Sequence, residues 1–178
     1  MHIISGKYKG RSLKFPKTQK LRPISQKVKE ALFNILGNNI TDCVFLDLFS
    51  GTGQVGIEAL SRGAKLTYFV DLNIKFIKQN LRELNITDGA VVVRNNALDF
   101  IMKSTTRKFD IAFIAPPYEE EELYLSTLKR IDEFDILNVN GLAVFEHEKK
   151  IKLQDIRGDL KKIRSAVYGG TTLSFYKA

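Results

Sequence analysis

Phe45-Leu-Asp-Leu-Phe-Ser-Gly-Thr-Gly-Gln-Val-Gly56 is the stretch on which the reading of the fold turns. A buried-type apolar run, Val44 to Leu48, carries one carboxylate, Asp47. It breaks at Gly51 and Gly53 and resumes as an apolar-periodic helix. Strand, glycine turn and helix in that order let a ligand lie against bare backbone and meet the unpaired N–H groups of a helix start. The acid beside the turn selects the ligand, because a carboxylate attracts a cation and repels a phosphate.

Outward from this turn the chain alternates. Strand patterns fall near 43–48, 66–70, 90–94, 109–114 and 141–146, with helical patterns near 54–62, 73–85, 97–104 and 119–133. In 73–85 the residues Ile74, Ile77, Leu81 and Leu84 form one apolar stripe. Such alternation predicts an α/β, Rossmann-like fold: a mostly parallel sheet with helices on both faces. Ligands of such sheets bind at the carboxyl ends of the strands. Residues 163–168 and 171–176 flank Gly169-Gly170 and read as an antiparallel C-terminal hairpin.

Upstream, 2–5 and 11–15 read as a small N-terminal β-hairpin around Gly6-Lys7-Tyr8-Lys9-Gly10. A basic loop runs to Arg22-Pro23. A helix follows, capped by Ser25, with Val28, Ala31, Leu32, Ile35 and Leu36 on one face and Lys27, Lys29, Glu30 and Asn34 on the other; Gly37 ends it. The whole is expected to be a single domain: an N-terminal extension over 1–40 and a core over 41–178.

A chain of 178 residues suits one domain, and 44% apolar with 27% charged residues suits a soluble globular one. No apolar run is long enough to cross a bilayer, and the N-terminus lacks the pattern of a secretory signal, so a cytoplasmic protein without membrane contact is expected. Cys43 is the only cysteine, and His2 and His147 lie far apart, which argues against a disulfide or a structural metal. The net charge of +8 points toward a polyanionic partner, although charge for solubility alone would read the same way. Its distribution is informative. Lys7, Lys9, Arg11, Lys14, Lys17, Lys20, Arg22, Lys27 and Lys29 fall in the first 29 residues, without one acid. A segment of that kind reads as a phosphate-contacting surface. Tyr8, between two lysines, either stacks on a base or packs under the hairpin.

Gly51-Thr52-Gly53-Gln54-Val55-Gly56 formally matches the dinucleotide fingerprint, with Asp71 at the end of the next strand. A pyrophosphate placed there would meet Asp47. S-adenosylmethionine has no phosphate and carries a sulfonium and an ammonium, so Asp47 favours it over a dinucleotide. In that reading Phe49, Ser50, Gly51, Thr52, Gly53 and Gln54 form the cradle. Asp71 accepts the ribose hydroxyls, Asn96 bonds the adenine edge, and Leu72 and Ala97 pack on its faces. Each polar residue has a plainer alternative: Asp47 as a cap of the next helix, Asp71 as an N-cap before Asn73, Asn96 as the N-cap of 97–104. At the fourth strand end stands Ala115-Pro116-Pro117-Tyr118. Prolines donate nothing and leave carbonyls as acceptors, and an aromatic follows. A carbonyl and a ring are what a planar base with an exocyclic amine needs. The alternative is a rigid loop with Tyr118 in the core.

The glycine motif together with Pro-Pro-Tyr resembles the class I S-adenosylmethionine-dependent methyltransferases that act on exocyclic amino groups. Ile4-Ser-Gly-Lys-Tyr-Lys-Gly-Arg11, Leu21-Arg-Pro23 and Val28-Lys-Glu-Ala-Leu-Phe-Asn34 are similar to the bacterial family that methylates guanine N2 in small-subunit ribosomal RNA, and the similarity runs on to Tyr168-Gly-Gly-Thr171. The resemblance implies the class I methyltransferase fold, S-adenosylmethionine as cofactor, and small-subunit ribosomal RNA or the assembling subunit as partner. It implies a catalytic loop at Ala115, Pro116, Pro117 and Tyr118, and RNA contacts from Lys7, Tyr8, Lys9, Arg11, Arg22, Lys27 and Lys29. Two positions depart from the family. Asn96 replaces a more usual Asp, and Ala115 replaces the Asp or Asn whose side chain is implied to hold the target amine. An active enzyme and an RNA- or ribosome-binding protein with weak or lost turnover therefore both remain open. Glu146 and His147, just past the fifth strand, are the polar neighbours able to make good the missing acceptor. A DNA amino-methyltransferase and a dinucleotide oxidoreductase are the other rivals.

Overall fold

The computed structural model describes residues 1–16, 23–104 and 106–178. Lys17, Lys20 and Arg22 of the basic segment, and Leu21, lie outside the described residues. An eight-stranded sheet carries the molecule, in the order β3-β2-β1-β4-β5-β8-β7-β6. Its strands are β1 (Val44–Leu48), β2 (Leu66–Asp71), β3 (Ala90–Arg94), β4 (Phe109–Ile114), β5 (Leu137–Glu148), β6 (Ile156–Arg157), β7 (Leu160–Tyr168) and β8 (Thr171–Lys177). The first five are parallel to one another; β8 is antiparallel to β5, and β7 to β8.

The period of two along β1 sorts its side chains between two cores. Phe45 packs on α1 (Gln26–Leu36), through Leu32, Phe33 and Leu36, and on α2 (Gln54–Ser61). Leu46 and Leu48 face the other way, toward α4 (Ala97–Met102) and α5 (Glu121–Glu133). A third cluster joins Phe69 of β2 to Ile77 and Leu81 of α3 (Lys75–Glu83) and to Ile3 and Leu13 of the N-terminal segment. The chain thus crosses the sheet face to face as the alternation predicts, and the carboxyl ends of β1, β2, β3 and β4 open on one side.

Three expectations need correction. The N-terminal hairpin has no regular strands: one bridge, His2 to Ser12, closes it, and turns occupy residues 5–10. Its rigidity comes instead from docking on α2, where a Cβ on Gly6 would fall 1.6 Å from the Ser61 carbonyl oxygen. β5 starts at Leu137, four residues before the apolar run, because Leu137 pairs with Phe109 across a bulge. The two-residue β6 carried no readable pattern.

Candidate cofactor and nucleic-acid site

The turn after β1 is strained and tightly wired. Phe49, Gly51 and Gly53 all have positive φ, 60°, 56° and 78°, a conformation costly for any residue with a Cβ and here adopted by Phe49 too. Ser50 fastens the turn to the next strand: its N–H donates to the Val70 carbonyl (3.2 Å), its hydroxyl donates to the Asp47 carbonyl, and Val70 N–H donates back to Ser50 Oγ (2.9 Å). Asp71 Oδ2 accepts the Gly51 N–H at 2.8 Å, while its Oδ1 accepts that of Asn73 at 2.9 Å. Asp47 is 2% exposed, and its Oδ2 accepts the Gly56 N–H at 2.9 Å. Burial pushes its carboxyl up to about 7, against the Gly56 bond and with help from the negative Asp71. The plainer role of Asp47 is therefore real, and it coexists with a charge poised to be drawn out by a cation. Asp71 also fills its capping role, yet a carboxylate accepts about four bonds, so roughly two places remain.

Beside Asp47, Gln54 is 6% exposed and its Oε1 lacks a partner among the described residues. A buried orphan acceptor costs stability until a donor meets it. Two acceptors and, across residues 45–56, no Lys or Arg make a donor set suited to a cationic ligand rather than a phosphate. Thr52 is buried and its carbonyl accepts from Asn80 Nδ2 at 2.9 Å. Leu72 is exposed at the rim and Ala97 is buried. Asn96 caps α4, its Oδ1 accepting from Leu98 N–H at 2.9 Å and Asp99 N–H at 3.4 Å. That spends its acceptor oxygen and leaves the amide nitrogen as its contribution to any ligand.

The loop after β4 joins the same mouth, for Ala115 N–H donates to the Leu48 carbonyl at the end of β1 (3.4 Å). Pro116 is buried, and its carbonyl, expected to await a target amine, already accepts from Tyr124 O–H at 3.0 Å. A second lone pair remains on that oxygen. Tyr118 is half-buried on the core and its hydroxyl lies 3.3 Å from both Glu146 Oε1 and Thr171 Oγ1. The structure separates Glu146 from His147. Ile114 is level with Phe145, which sets Glu146 beside position 115, whereas His147 bonds Ser174 Oγ at 2.9 Å and stacks edge-on against Tyr124.

The basic segment divides. Lys7, Lys9, Arg11 and Lys27 are exposed, although Arg11 Nη2 also donates to the Glu83 carbonyl (3.0 Å). Tyr8 packs against the Ile3 and Leu13 cluster with its N–H on Ser61 Oγ, which is the packing alternative. Lys29 overturns its assignment to RNA. It is fully buried, with Nζ 3.0 Å from Glu58 Oε2 and donating to the His2 carbonyl at 2.9 Å. The signal was present: Lys29 shares one helix face with Leu32, Phe33 and Leu36 at spacings of three, four and seven. Glu58, a buried acid that also accepts the N–H groups of Ile4 and Ser5, had only Arg62 four residues on to mark it. Tyr124 and Asn80 had none.

A cleft of about 670 Å³ opens at the opposite end of the sheet, between the start of β1 and the end of β8. It holds Cys43, whose thiol burial and the nearby Asp110 push up to about 12, so it offers no nucleophile. Among the described residues no group of three or more His, Cys, Asp or Glu could hold a metal. No helix among them is long and apolar enough to cross a membrane.

A family model described as Conserved hypothetical protein 95 matches residues 1–177. YlbH of Bacillus subtilis, provisionally named an rRNA methyltransferase, is 41% identical over 99% of this chain and 98% of its own. Ribosomal RNA small subunit methyltransferase D of Escherichia coli is 30% identical over 99% of this chain and 89% of its own. The solved structure of yhhF from Escherichia coli, provisionally a methyltransferase, superposes with a TM-score of 0.87 at 30% identity, over 99% of this chain and 97% of that one.

Proposed function

The chain belongs to the Conserved hypothetical protein 95 family and has the class I methyltransferase fold, and on that premise we propose that it methylates the N2 amine of a guanine in small-subunit ribosomal RNA. S-adenosylmethionine is the methyl donor, supplying an electrophilic methyl on a cationic sulfur. Asp47 and the Gln54 Oε1 acceptor answer its positive charge; Asp71 has capacity left for the ribose hydroxyls; Leu72 and Ala97 flank the adenine, with the Asn96 amide nitrogen at its edge.

The observation that carries the reading is the bond from Ala115 N–H to the Leu48 carbonyl, which fixes the Pro-Pro-Tyr loop against the glycine turn. A base held by that loop meets whatever the turn holds, and positioning of this kind supplies most of the rate when the nucleophile is a poor one. Guanine's amine is poor because its lone pair is delocalised into the ring. Tyr118 stacks on the base. Pro116 O, steered by Tyr124, accepts one amine N–H. Glu146, level with position 115 and 7% exposed, takes the acceptor role that Ala115 lacks. The new N–C bond forms as the C–S bond breaks onto sulfur, and the proton leaving nitrogen passes to the Glu146 carboxylate and on to solvent.

Mass spectrometry of small-subunit ribosomal RNA from cells with and without the protein tests the reaction. One methylated guanine should be lost with the protein, and an unchanged RNA would sink the assignment. Glu146→Gln should lower kcat roughly ten- to a hundred-fold, and Ala115→Asp in that background should recover part of it. Ala115 also favours the second reading, an RNA-binding protein with little turnover. Inactive wild type restored by Ala115→Asp alone would decide for it.

A further inference from the structure

The charge of the chain is segregated in a way the N-terminal segment does not exhaust. Residues 30–148 hold 18 acids against 11 Lys and Arg, whereas residues 149–178 hold eight Lys and Arg against Asp155 and Asp159 alone. This second basic region folds beside the mouth. Thr171, which touches the Tyr118 hydroxyl at 3.3 Å, is followed by Thr172, and Thr172 lines a groove of about 360 Å³ between β8, β7 and the 149–155 loop.

Within the groove the charges do not cancel. Lys162 is spent on Asp155 (2.8 Å) and the Leu153 carbonyl (2.6 Å), and the neighbouring Lys150 pairs with Glu148 at 3.0 Å and Glu121 at 3.9 Å. Lys149 and Lys152 line the groove, are exposed, and have no ion pair with a described residue. His147, buried at the floor, keeps both ring nitrogens occupied, on the Glu148 carbonyl and Ser174 Oγ. Thr172 is 5% exposed and its hydroxyl lacks a partner among the described residues. Two uncompensated ammonium groups above an orphan hydroxyl donor are the chemistry of a phosphodiester seat.

Its place in the sheet gives it a purpose. The N-terminal segment is docked on α2 and α3, behind β2, through Glu58, Ser61 and Asn80. β8 lies four strands away, about 19 Å at ~4.8 Å per strand, with the glycine turn and Pro-Pro-Tyr loop between. We infer that the groove of Lys149, Lys152 and Thr172 holds a backbone phosphate of the RNA strand on one side of the target nucleotide, while the N-terminal lysines hold the strand on the other side. This inference rests on the RNA reading above.

The test uses the whole chain and a transcript of small-subunit ribosomal RNA. Lys149→Glu/Lys152→Glu should weaken binding at least tenfold near ~0.1 M salt and make the log–log salt slope shallower by about 1.5–2, since each lost phosphate contact removes ~0.7–0.9. Affinity for S-adenosylmethionine should stay that of the wild type. Wild-type affinity and slope in that variant, beside a loss in Lys7→Glu/Lys9→Glu, would overturn the groove and leave the RNA reading standing. A wild-type chain that binds the transcript with no salt dependence would overturn both.

Discussion

The two halves of the mouth are held by different kinds of bond. On the glycine side, Asp47, Ser50 and Asp71 are fixed by backbone groups at 2.8–3.2 Å, and the turn is closed on itself before any ligand arrives. On the Pro-Pro-Tyr side the Tyr118 hydroxyl reaches Glu146 and Thr171 only at 3.3 Å, and Ala115 reaches Leu48 only at 3.4 Å. Short backbone bonds hold a shape; long side-chain contacts leave room to tighten. The cofactor side is thus built in advance, and the side that takes a large, variable RNA is left to close on it.

The rigid half is braced from behind by Glu58, whose carboxylate binds Lys29, Arg62 and two N-terminal amides. Lys29→Ala should produce the largest effect, a loss of about 3–5 kcal/mol in denaturant unfolding, because it strands a buried charge. A surface-like loss of about 0–1 kcal/mol would show that the brace is not needed.

Asp47→Asn should come next, weakening S-adenosylmethionine roughly thirty- to three-hundred-fold by calorimetry while sparing the fold better than Lys29→Ala. The pH dependence has a definite sign. Asp47 has an ordinary value of 3.8 and is held at about 7 in the folded chain, so the ligand-free fold binds the extra proton between those values and loses stability as pH rises through them. A cation requires the ionised form, so its affinity should rise up to about tenfold per unit below pH ~7 and level off above it. Asp47→Asn should flatten that profile; an identical profile in the variant would remove Asp47 from the site.

Tyr124→Phe should have the smallest effect, about three- to tenfold on kcat with cofactor affinity intact, since it frees the Pro116 carbonyl from a bond worth about 0.5–1.5 kcal/mol. An equal loss of cofactor affinity would mean that the two halves are not separately built.

The strands and helices were legible because their signals lie within a few residues of each other. β3 and β4 match their patterns to the residue, and β1, β2 and α2 to within one. The glycine turn, its acid and the Pro-Pro-Tyr loop could be assigned to one mouth because a parallel sheet puts all strand ends of one sense on one side. What stayed hidden was the partner of each polar group. Lys29 read as surface because its acid lies 29 positions away, on α2. Pro116 read as free because Tyr124 returns to it only through the first turns of α5.

By itself, then, the sequence determined the order and kind of the elements, the family, and the electrostatic character of the mouth, all of which follow from periodicity, turn chemistry and local charge. Only the tertiary structure decided that Lys29 is core, that Glu146 rather than His147 stands beside Ala115, and that the C-terminal lysines share a groove with an orphan hydroxyl. Those facts depend on which distant segments the sheet brings together, and a hydrogen bond is only as specific as the neighbour that folding supplies.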